Sequence, residues 1–226
     1  MAELILALDL PSRDEALRLL DRLPALEWVK VGSILMTAEG PGLVRELTGR
    51  GLAVFLDLKW HDIPSTVREA VAVARALGAR MATVHTLGGP EMMRGAAEAA
   101  GDELAVVGVT VLTSHDASGY AAATGRPSVR LLDEAARLAR SAVSAGLAGV
   151  VCSPLEVERL RSGLGPEPLL VVPGIRRPGD RDDDQSRTAT PAEAVRQGAT
   201  HLVVGRPIHQ AADPAAVLSE YLAALH

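Results

Sequence analysis

Short apolar runs alternate with longer amphipathic runs along the whole chain, and this alternation restricts the fold more than any other feature. The apolar runs are too short for globular helices, so they are predicted to be strands, the third of them buried on both faces. The amphipathic runs are predicted to be helices, several of which open with a capping residue or a proline. The predicted strands are residues 4–8, 28–31, 52–56, 81–85, 104–112, 149–152, 169–172 and 201–204. The predicted helices open at or just before residues 13, 43, 66, 91, 129, 154, 191 and 214.

Eight strand–helix units in 226 residues predict an α/β protein with a (β/α)8 TIM barrel, because such barrels typically need about 250 residues. No linker or change of composition separates the units, so residues 1–226 are predicted to form a single domain. A doubly wound open sheet is the alternative. A barrel collects functional groups at the C-terminal ends of its strands. The side chains predicted at those ends include Asp9, Lys30, Asp57, Lys59, His85, Thr113, Ser153 and Arg206.

The stretch that follows the third predicted strand carries alternating charges. Asp57 and Lys59 should face the same side of that strand, and Asp62 comes just past its end. Thr66 and Glu69 then have the spacing of a capping box. One interpretation is a structural ion-pair network. The other is a lysine held protonated between two carboxylates, which could stabilise a developing carbanion and then protonate it.

Lysine usage favours the second interpretation. The chain has 23 lysines and arginines, yet lysine occurs only at Lys30 and Lys59, both on predicted strands. Arginine serves wherever a solvated cation is needed. The two lysines are therefore predicted to be retained for a compact, titratable ammonium group, which arginine cannot supply.

Composition excludes several classes of function. A net charge of -5 offers no general attraction to nucleic acid or to an anionic membrane, and 2% aromatic residues are too few for stacking on single strands. No apolar run approaches the ~20 residues of a membrane span. The single cysteine, Cys152, rules out an internal disulfide framework and fits a reducing compartment, so a cytoplasmic location is predicted. No His/Cys spacing matches a metal site, and His61 and His85 are predicted to be packing groups or supports of the site residues rather than bases.

Two Gly-Arg segments predict a phosphate site. Residues 173–176 read Pro-Gly-Ile-Arg after the seventh predicted strand, and Gly205-Arg206 follows the eighth. Barrels commonly bind phosphate in the loops after these two strands, through backbone amides and a cation. Between them lies the polar segment 177–187, which is either a solvated loop or a lid over the phosphate.

The pattern Asp-x-Lys-x-x-Asp-Ile-Pro-x-Thr at residues 57–66, with Lys30 one strand earlier and residues 173–176 later, resembles the orotidine 5′-phosphate decarboxylase family. The resemblance extends over nearly the whole chain, and residues 111–114 and Asp184-Gln185 add to it. Val172 stands where the family often has threonine, which is expected to change packing and leave phosphate binding intact. Residues 182–184 are also more acidic than expected.

The resemblance implies a homodimeric barrel that decarboxylates orotidine 5′-monophosphate to uridine 5′-monophosphate, the last step of de novo pyrimidine synthesis, without metal or organic cofactor. In the mechanism that it implies, Lys59 protonates C6 of the pyrimidine as carbon dioxide leaves. Asp62 and Thr66 would reach the active site of the partner subunit. The implied catalytic residues are Lys30, Asp57, Lys59 and Asp62. Besides Lys30, the implied substrate-binding residues are Asp9 and Thr66 for the ribose, Thr113 and Ser114 for the pyrimidine, and Pro173, Arg176, Gln185, Gly205 and Arg206 at the phosphate end.

Two other functions remain open at this point. A sugar-phosphate decarboxylase or aldolase of the same superfamily would share Asp-x-Lys-x-x-Asp and would use Mg²⁺ to stabilise an enediolate; Ile63-Pro64-x-Thr66 and Gln185 argue against it. A non-catalytic sensor of nucleotide phosphates is the second, and the retention of both lysines argues against it.

Overall fold

A computed structural model describes residues 2–177, 180 and 188–225. Eight parallel strands are hydrogen-bonded in chain order, and β1 also pairs with β8, so the sheet closes into a barrel. This confirms the predicted (β/α)8 barrel and excludes the open sheet. The strands are β1 (Glu3–Ala7), β2 (Trp28–Gly32), β3 (Ala53–Trp60), β4 (Met81–His85), β5 (Ala105–Val109), β6 (Gly149–Val151), β7 (Leu169–Val172) and β8 (His201–Val204).

The helices surround this barrel and connect its strands. They are α1 (Arg13–Leu20), α2 (Ser33–Glu39), α3 (Pro41–Gly49), α4 (Pro64–Ala76), α5 (Gly89–Ala100), α6 (Ala117–Ala123), α7 (Leu131–Ser144), α8 (Val157–Leu164), α9 (Pro191–Gln197), α10 (Arg206–His209) and α11 (Pro214–Ala223). Two short 3₁₀ helices, Thr86–Gly88 and Pro154–Glu156, precede α5 and α8. No helix in the described part of the chain combines the length and the apolar character needed to cross a membrane.

The core has two layers because successive residues of a strand face opposite sides of the sheet. On β1, Leu4 and Leu6 pack outward against the helices, whereas Ile5 belongs to a second cluster inside the barrel. That inner cluster also contains the large side chains of Phe55 and Met81. A filled barrel interior leaves room for a ligand only above it, at the C-terminal ends of the strands.

Helix α4 begins at Pro64, so the predicted capping box at Thr66 and Glu69 is wrong. The N-cap residue is Ile63, and no side chain caps this end of the helix. Proline suits the first helical position because its missing N–H would have no partner there and its backbone angle is already helical. Thr66 therefore lies within the first turn.

Three short helices were missed, β5 and β6 are shorter than predicted, and β3 extends beyond its predicted end to Trp60. Helices α2, α6 and α10 have seven residues or fewer, too few for a helical period to stand out from the sequence. Helix α6 lies between the fifth predicted strand and the helix predicted to open near residue 129, where no element was predicted. Strand β5 ends at Val109 rather than at residue 112.

Candidate active site

A cavity of about 450 Å³ opens at the C-terminal ends of the barrel strands. This is the end at which functional groups are expected in such a barrel. Nine of the predicted site residues line the cavity, although they come from the ends of six different strands and are spread over residues 9–206 of the chain. These nine are Asp9, Lys30, Asp57, Lys59, Thr113, Pro173, Arg176, Gly205 and Arg206.

The other predicted site residues lie elsewhere. Asp62 and Thr66 are exposed beyond the end of β3 and do not line the cavity. Ser114 is also exposed and away from the lining. Gln185 lies outside the described residues, as does most of the polar segment 177–187, for which a solvated loop and a lid were the two interpretations. The chemical roles of these residues, and of the nine that line the cavity, remain predictions.

A network of alternating charges forms one wall of the cavity. The Lys30 ammonium group is 2.9 Å from Asp9 and 3.5 Å from Asp57. The Lys59 ammonium group is 2.8 Å from the other carboxylate oxygen of Asp57. Asp57 therefore lies between two cations, and Lys30 lies between two carboxylates. Lys30 is only 8% exposed, so it depends on these partners for the stability of its charge.

The environment of Asp57 favours its ionised form. Burial alone would raise the pKa of this carboxyl group, but the charges of Lys30 and Lys59 outweigh it. Hydrogen bonds from Lys59 and Thr83 act in the same direction as the charges, and the pKa of Asp57 lies below its ordinary value. The carboxylate is thus a fixed negative charge between two ammonium groups.

Strand β3 is irregular at its charged end. Leu56 pairs with Ala82 and Trp60 pairs with Val84, so three residues of β3 face one residue of β4. Within this bulge Lys59 has φ +52°, and it is the one residue other than glycine with positive φ among those described. Such a conformation costs about 1–2 kcal/mol for an ordinary residue. Strained backbone of this kind is characteristic of functional sites.

Thr83 is a site residue that the sequence interpretation missed. It is fully buried on β4 and is the residue opposite the bulge. Its hydroxyl oxygen accepts a hydrogen bond from the Lys59 backbone N–H at 2.8 Å and donates one to Asp57 at 3.2 Å. A threonine between the apolar residues of a buried strand was the available signal.

Two arginines also line the cavity. Arg176, after β7, is 9% exposed, and its Nε is buried and has no hydrogen-bond partner among the described residues. Arg206 opens helix α10, directly after Gly205. A β-carbon at Gly205 would come within 3.3 Å of Ala7, so this position leaves little room for a side chain. A buried cation with an unused donor at a cavity wall is suited to binding an anion.

One histidine lines the cavity, and two others stack near the end of β3. His209, on α10, lines the cavity and was not predicted; its Nε2 is buried and without a hydrogen-bond partner in the described part of the chain. His61 and His85 stack with their rings 5.5 Å apart. Burial, together with the charges of His61 and Lys59, lowers the pKa of His85 to about 4, so its ring is neutral at pH 7.

Cys152 lines the cavity but is buried, and burial raises the pKa of its thiol well above the ordinary value. A thiol in this state is a poor nucleophile. Among the described residues, no group of three or more His, Cys, Asp or Glu side chains is arranged to hold a metal ion.

Comparisons with known proteins identify the family of the chain. The profile of the "Orotidine 5'-phosphate decarboxylase / HUMPS family" matches residues 2–221. A protein of Anaeromyxobacter sp. (strain K) named orotidine 5′-phosphate decarboxylase is 50% identical over 204 residues, which cover 89% of this chain and 88% of that protein. A protein of the same name from Opitutus terrae is 48% identical over 229 residues, covering 99% and 98% of the two chains.

The fold comparison leads to the same family. The crystal structure of orotidine 5′-phosphate decarboxylase from Lactobacillus acidophilus superposes with a TM-score of 0.90 at 34% sequence identity, and the match covers 100% of both chains. The resemblance read from residues 57–66 and 173–176 is thereby confirmed. The chain belongs to the orotidine 5′-phosphate decarboxylase / HUMPS family.

Proposed function

We propose that the protein decarboxylates orotidine 5′-monophosphate to uridine 5′-monophosphate and carbon dioxide, in pyrimidine biosynthesis. The observation that carries this proposal is the Asp57 carboxylate held between the ammonium groups of Lys30 and Lys59 at the cavity wall. The names of the relatives that are 48–50% identical over most of the chain give further support. A cytoplasmic location remains a prediction from the sequence.

In the proposed reaction the bond between C6 and the carboxylate carbon breaks, and its electron pair remains on C6. That pair lies in the plane of the pyrimidine ring, so the ring carbonyl groups do not delocalise it. A preorganised ammonium group can stabilise it directly, and such electrostatic terms are often the largest in catalysis. Lys59 would then transfer a proton from Nζ to C6 and recover it from water. This sequence of steps needs no metal and no organic cofactor.

Arg176 and Arg206 would bind the 5′-phosphate. Arg176 supplies a buried cation with an unused Nε donor, and Arg206 and Gly205 also line the cavity. The phosphate is remote from C6, so its binding energy would serve to place the pyrimidine against the charged wall. Asp9 would contact the ribose, and Thr113 the pyrimidine.

We also propose that the protein acts as a homodimer in which Asp62 and Thr66 enter the partner's cavity. Both are exposed just after β3, and neither lines the cavity of its own chain. Large apolar side chains that do not line the cavity are exposed at the ends of β3 and β4, where Ile63 is 63% and Leu87 is 42% exposed. Exposed apolar residues that cluster on one face are typical of protein interfaces.

The proposed activity is tested by following the ultraviolet absorbance of orotidine 5′-monophosphate after addition of metal-stripped protein. We expect rapid loss of substrate with the wild type and none with Lys59→Ala. Arg159→Ala, on the exposed face of α8, is the matched control and should behave as the wild type. No change with folded wild type would contradict the proposal and would direct the search to a Mg²⁺-dependent reaction of a sugar phosphate.

A further inference from the structure

One buried hydroxyl joins the backbone of Lys59 to the side chain of Asp57. Thr83 Oγ1 lies 2.8 Å from the Lys59 backbone nitrogen and 3.2 Å from Asp57 Oδ1. The same Asp57 oxygen receives the Lys59 ammonium group at 2.8 Å. The three residues therefore form a closed ring of hydrogen bonds through both the main chain and the side chain of Lys59.

The ring lies at the point where the pairing of β3 and β4 shifts. Three residues of β3, from Asp57 to Lys59, face Thr83 alone, so the Lys59 N–H has no regular position in the ladder with β4. The Thr83 hydroxyl accepts a bond from this N–H. The backbone of Lys59 has φ +52°, and its N–H is bonded by the side chain of Thr83 instead of by a backbone carbonyl group of β4.

We propose that Thr83 is a positioning residue that sets the location of the Lys59 ammonium group by holding its backbone in the bulge and its carboxylate partner in place. This inference rests on the proposed role of Lys59 as proton donor. A hydroxyl suits the task because it accepts one hydrogen bond while donating another. Valine has the same shape and can do neither.

Loss of the hydroxyl would act on both ends of the salt bridge. The Lys59 N–H would lose its acceptor, and the left-handed backbone at this residue would lose the hydrogen bond that holds it in the bulge. Asp57 would lose one donor and could turn toward Lys30, 3.5 Å away. Either change moves the Lys59 Nζ away from the point at which it would meet C6.

The test compares Thr83→Val with Thr83→Ser and with a control, Thr86→Val. Thr86 is also buried, and its hydroxyl donates to Val109 O at 2.8 Å, away from the charged wall. For Thr83→Val we expect kcat to fall about 10- to 100-fold with KM for orotidine 5′-monophosphate within about threefold of wild type. Thr83→Ser, which keeps the hydroxyl, and Thr86→Val should keep the wild-type kcat. A wild-type kcat in folded Thr83→Val would overturn the proposal.

Thr83→Ala provides a second variant without the hydroxyl in case Thr83→Val does not fold. Thr83→Ala should lower kcat in the same way as Thr83→Val. If Thr83 had only a structural role, the Thr83 and Thr86 variants would lose melting temperature alike, and kcat of the folded protein would not change. Equal thermal losses with unchanged kcat would therefore also overturn the inference.

A second readout does not depend on turnover. The chain has two lysines, so protein labelled with ¹³C at lysine Cε gives two side-chain signals, which Lys30→Arg assigns. Removal of the Thr83 hydroxyl should displace the Lys59 signal more than the Lys30 signal, and Thr86→Val should displace neither. An unmoved Lys59 signal in folded Thr83→Val or Thr83→Ala would refute the positioning role. Absence of decarboxylation by the wild type would instead refute the proposed function, and the displacement of the Lys59 signal would still report on Thr83.

Discussion

The Asp57 carboxylate and the Lys59 ammonium group lie 2.8 Å apart on an interrupted segment of β3. In a regular strand, residues two positions apart face the same side, which is the reason the sequence predicted their proximity. Here the chain bulges between them, and Lys59 takes a left-handed backbone. Their contact therefore depends on the pairing of β3 with β4 as well as on their spacing.

Asp57→Asn should lower kcat by at least about 100-fold, a loss comparable to that of one essential electrostatic group elsewhere. The amide is neutral, so the Lys30 and Lys59 ammonium groups would repel each other without the charge that now lies between them. The measurement is kcat at saturating orotidine 5′-monophosphate. Asp133→Asn, in an exposed pair with Arg130, is the matched control and should keep the wild-type kcat. If Asp57→Asn kept the wild-type kcat, the charged network would have only a structural role.

Arg206→Ala should lower kcat/KM for orotidine 5′-monophosphate by about 10- to 100-fold, the usual range for loss of a hydrogen bond to a charged group. The phosphate would lose one of the two cations at its end of the cavity. With the phosphate-free nucleoside as substrate, added phosphite dianion should raise turnover by the wild type, and less so by Arg206→Ala. No activation of the wild type would sink the idea that phosphate binding organises the charged wall.

Hybrid dimers should recover activity lost in each parent. Lys59→Ala lacks the proton donor, and Asp62→Ala lacks the carboxylate proposed to enter the neighbouring cavity. In a mixed dimer one cavity receives a native Lys59 from one chain and a native Asp62 from the other, so turnover should reappear after mixing. Subunit exchange is verified with differently tagged chains. Exchange without recovered activity would place both residues in the cavity of one chain.

The stability of the protein should fall as the pH decreases from about 7 to about 4. Burial at the start of β8 lowers the pKa of His201 to about 4, and its ring packs edge-on against Trp28 with the ring centres 5.5 Å apart. The unfolded chain, with an ordinary histidine pKa near 6.5, takes up the proton first. Acid therefore favours the unfolded state, by up to about 2 kcal/mol at pH 5 relative to pH 7.

The matched variant for this effect is His201→Phe, which keeps a ring against Trp28 and removes the titration. Urea denaturation of both proteins at pH 7 and pH 5 measures the difference. The variant should lose less stability than the wild type between these values, and an equal loss in both would show that His201 does not contribute. His85, whose pKa is also lowered to about 4, acts in the same direction in both proteins.

Much of the cavity could be predicted from residue types and their order. Lys30 and Lys59 stood out as the two lysines of an arginine-rich chain, and the Gly-Arg segments followed the predicted seventh and eighth strands. Thr83 and His209 were missed because neither belongs to a charged motif. Ser114 was predicted beside Thr113, but only Thr113 lines the cavity, because β5 ends early and the chain turns away.

The amino-acid sequence alone determined the eight-unit barrel, since hydrophobic periodicity is a local property, and it determined which charges follow which strands. Only the tertiary structure decided the register of β3 against β4, the left-handed backbone of Lys59 and the hydroxyl of Thr83 that bonds to it. Strand register and barrel closure depend on contacts between residues far apart in the chain, so the spacing of residues within one segment does not contain them.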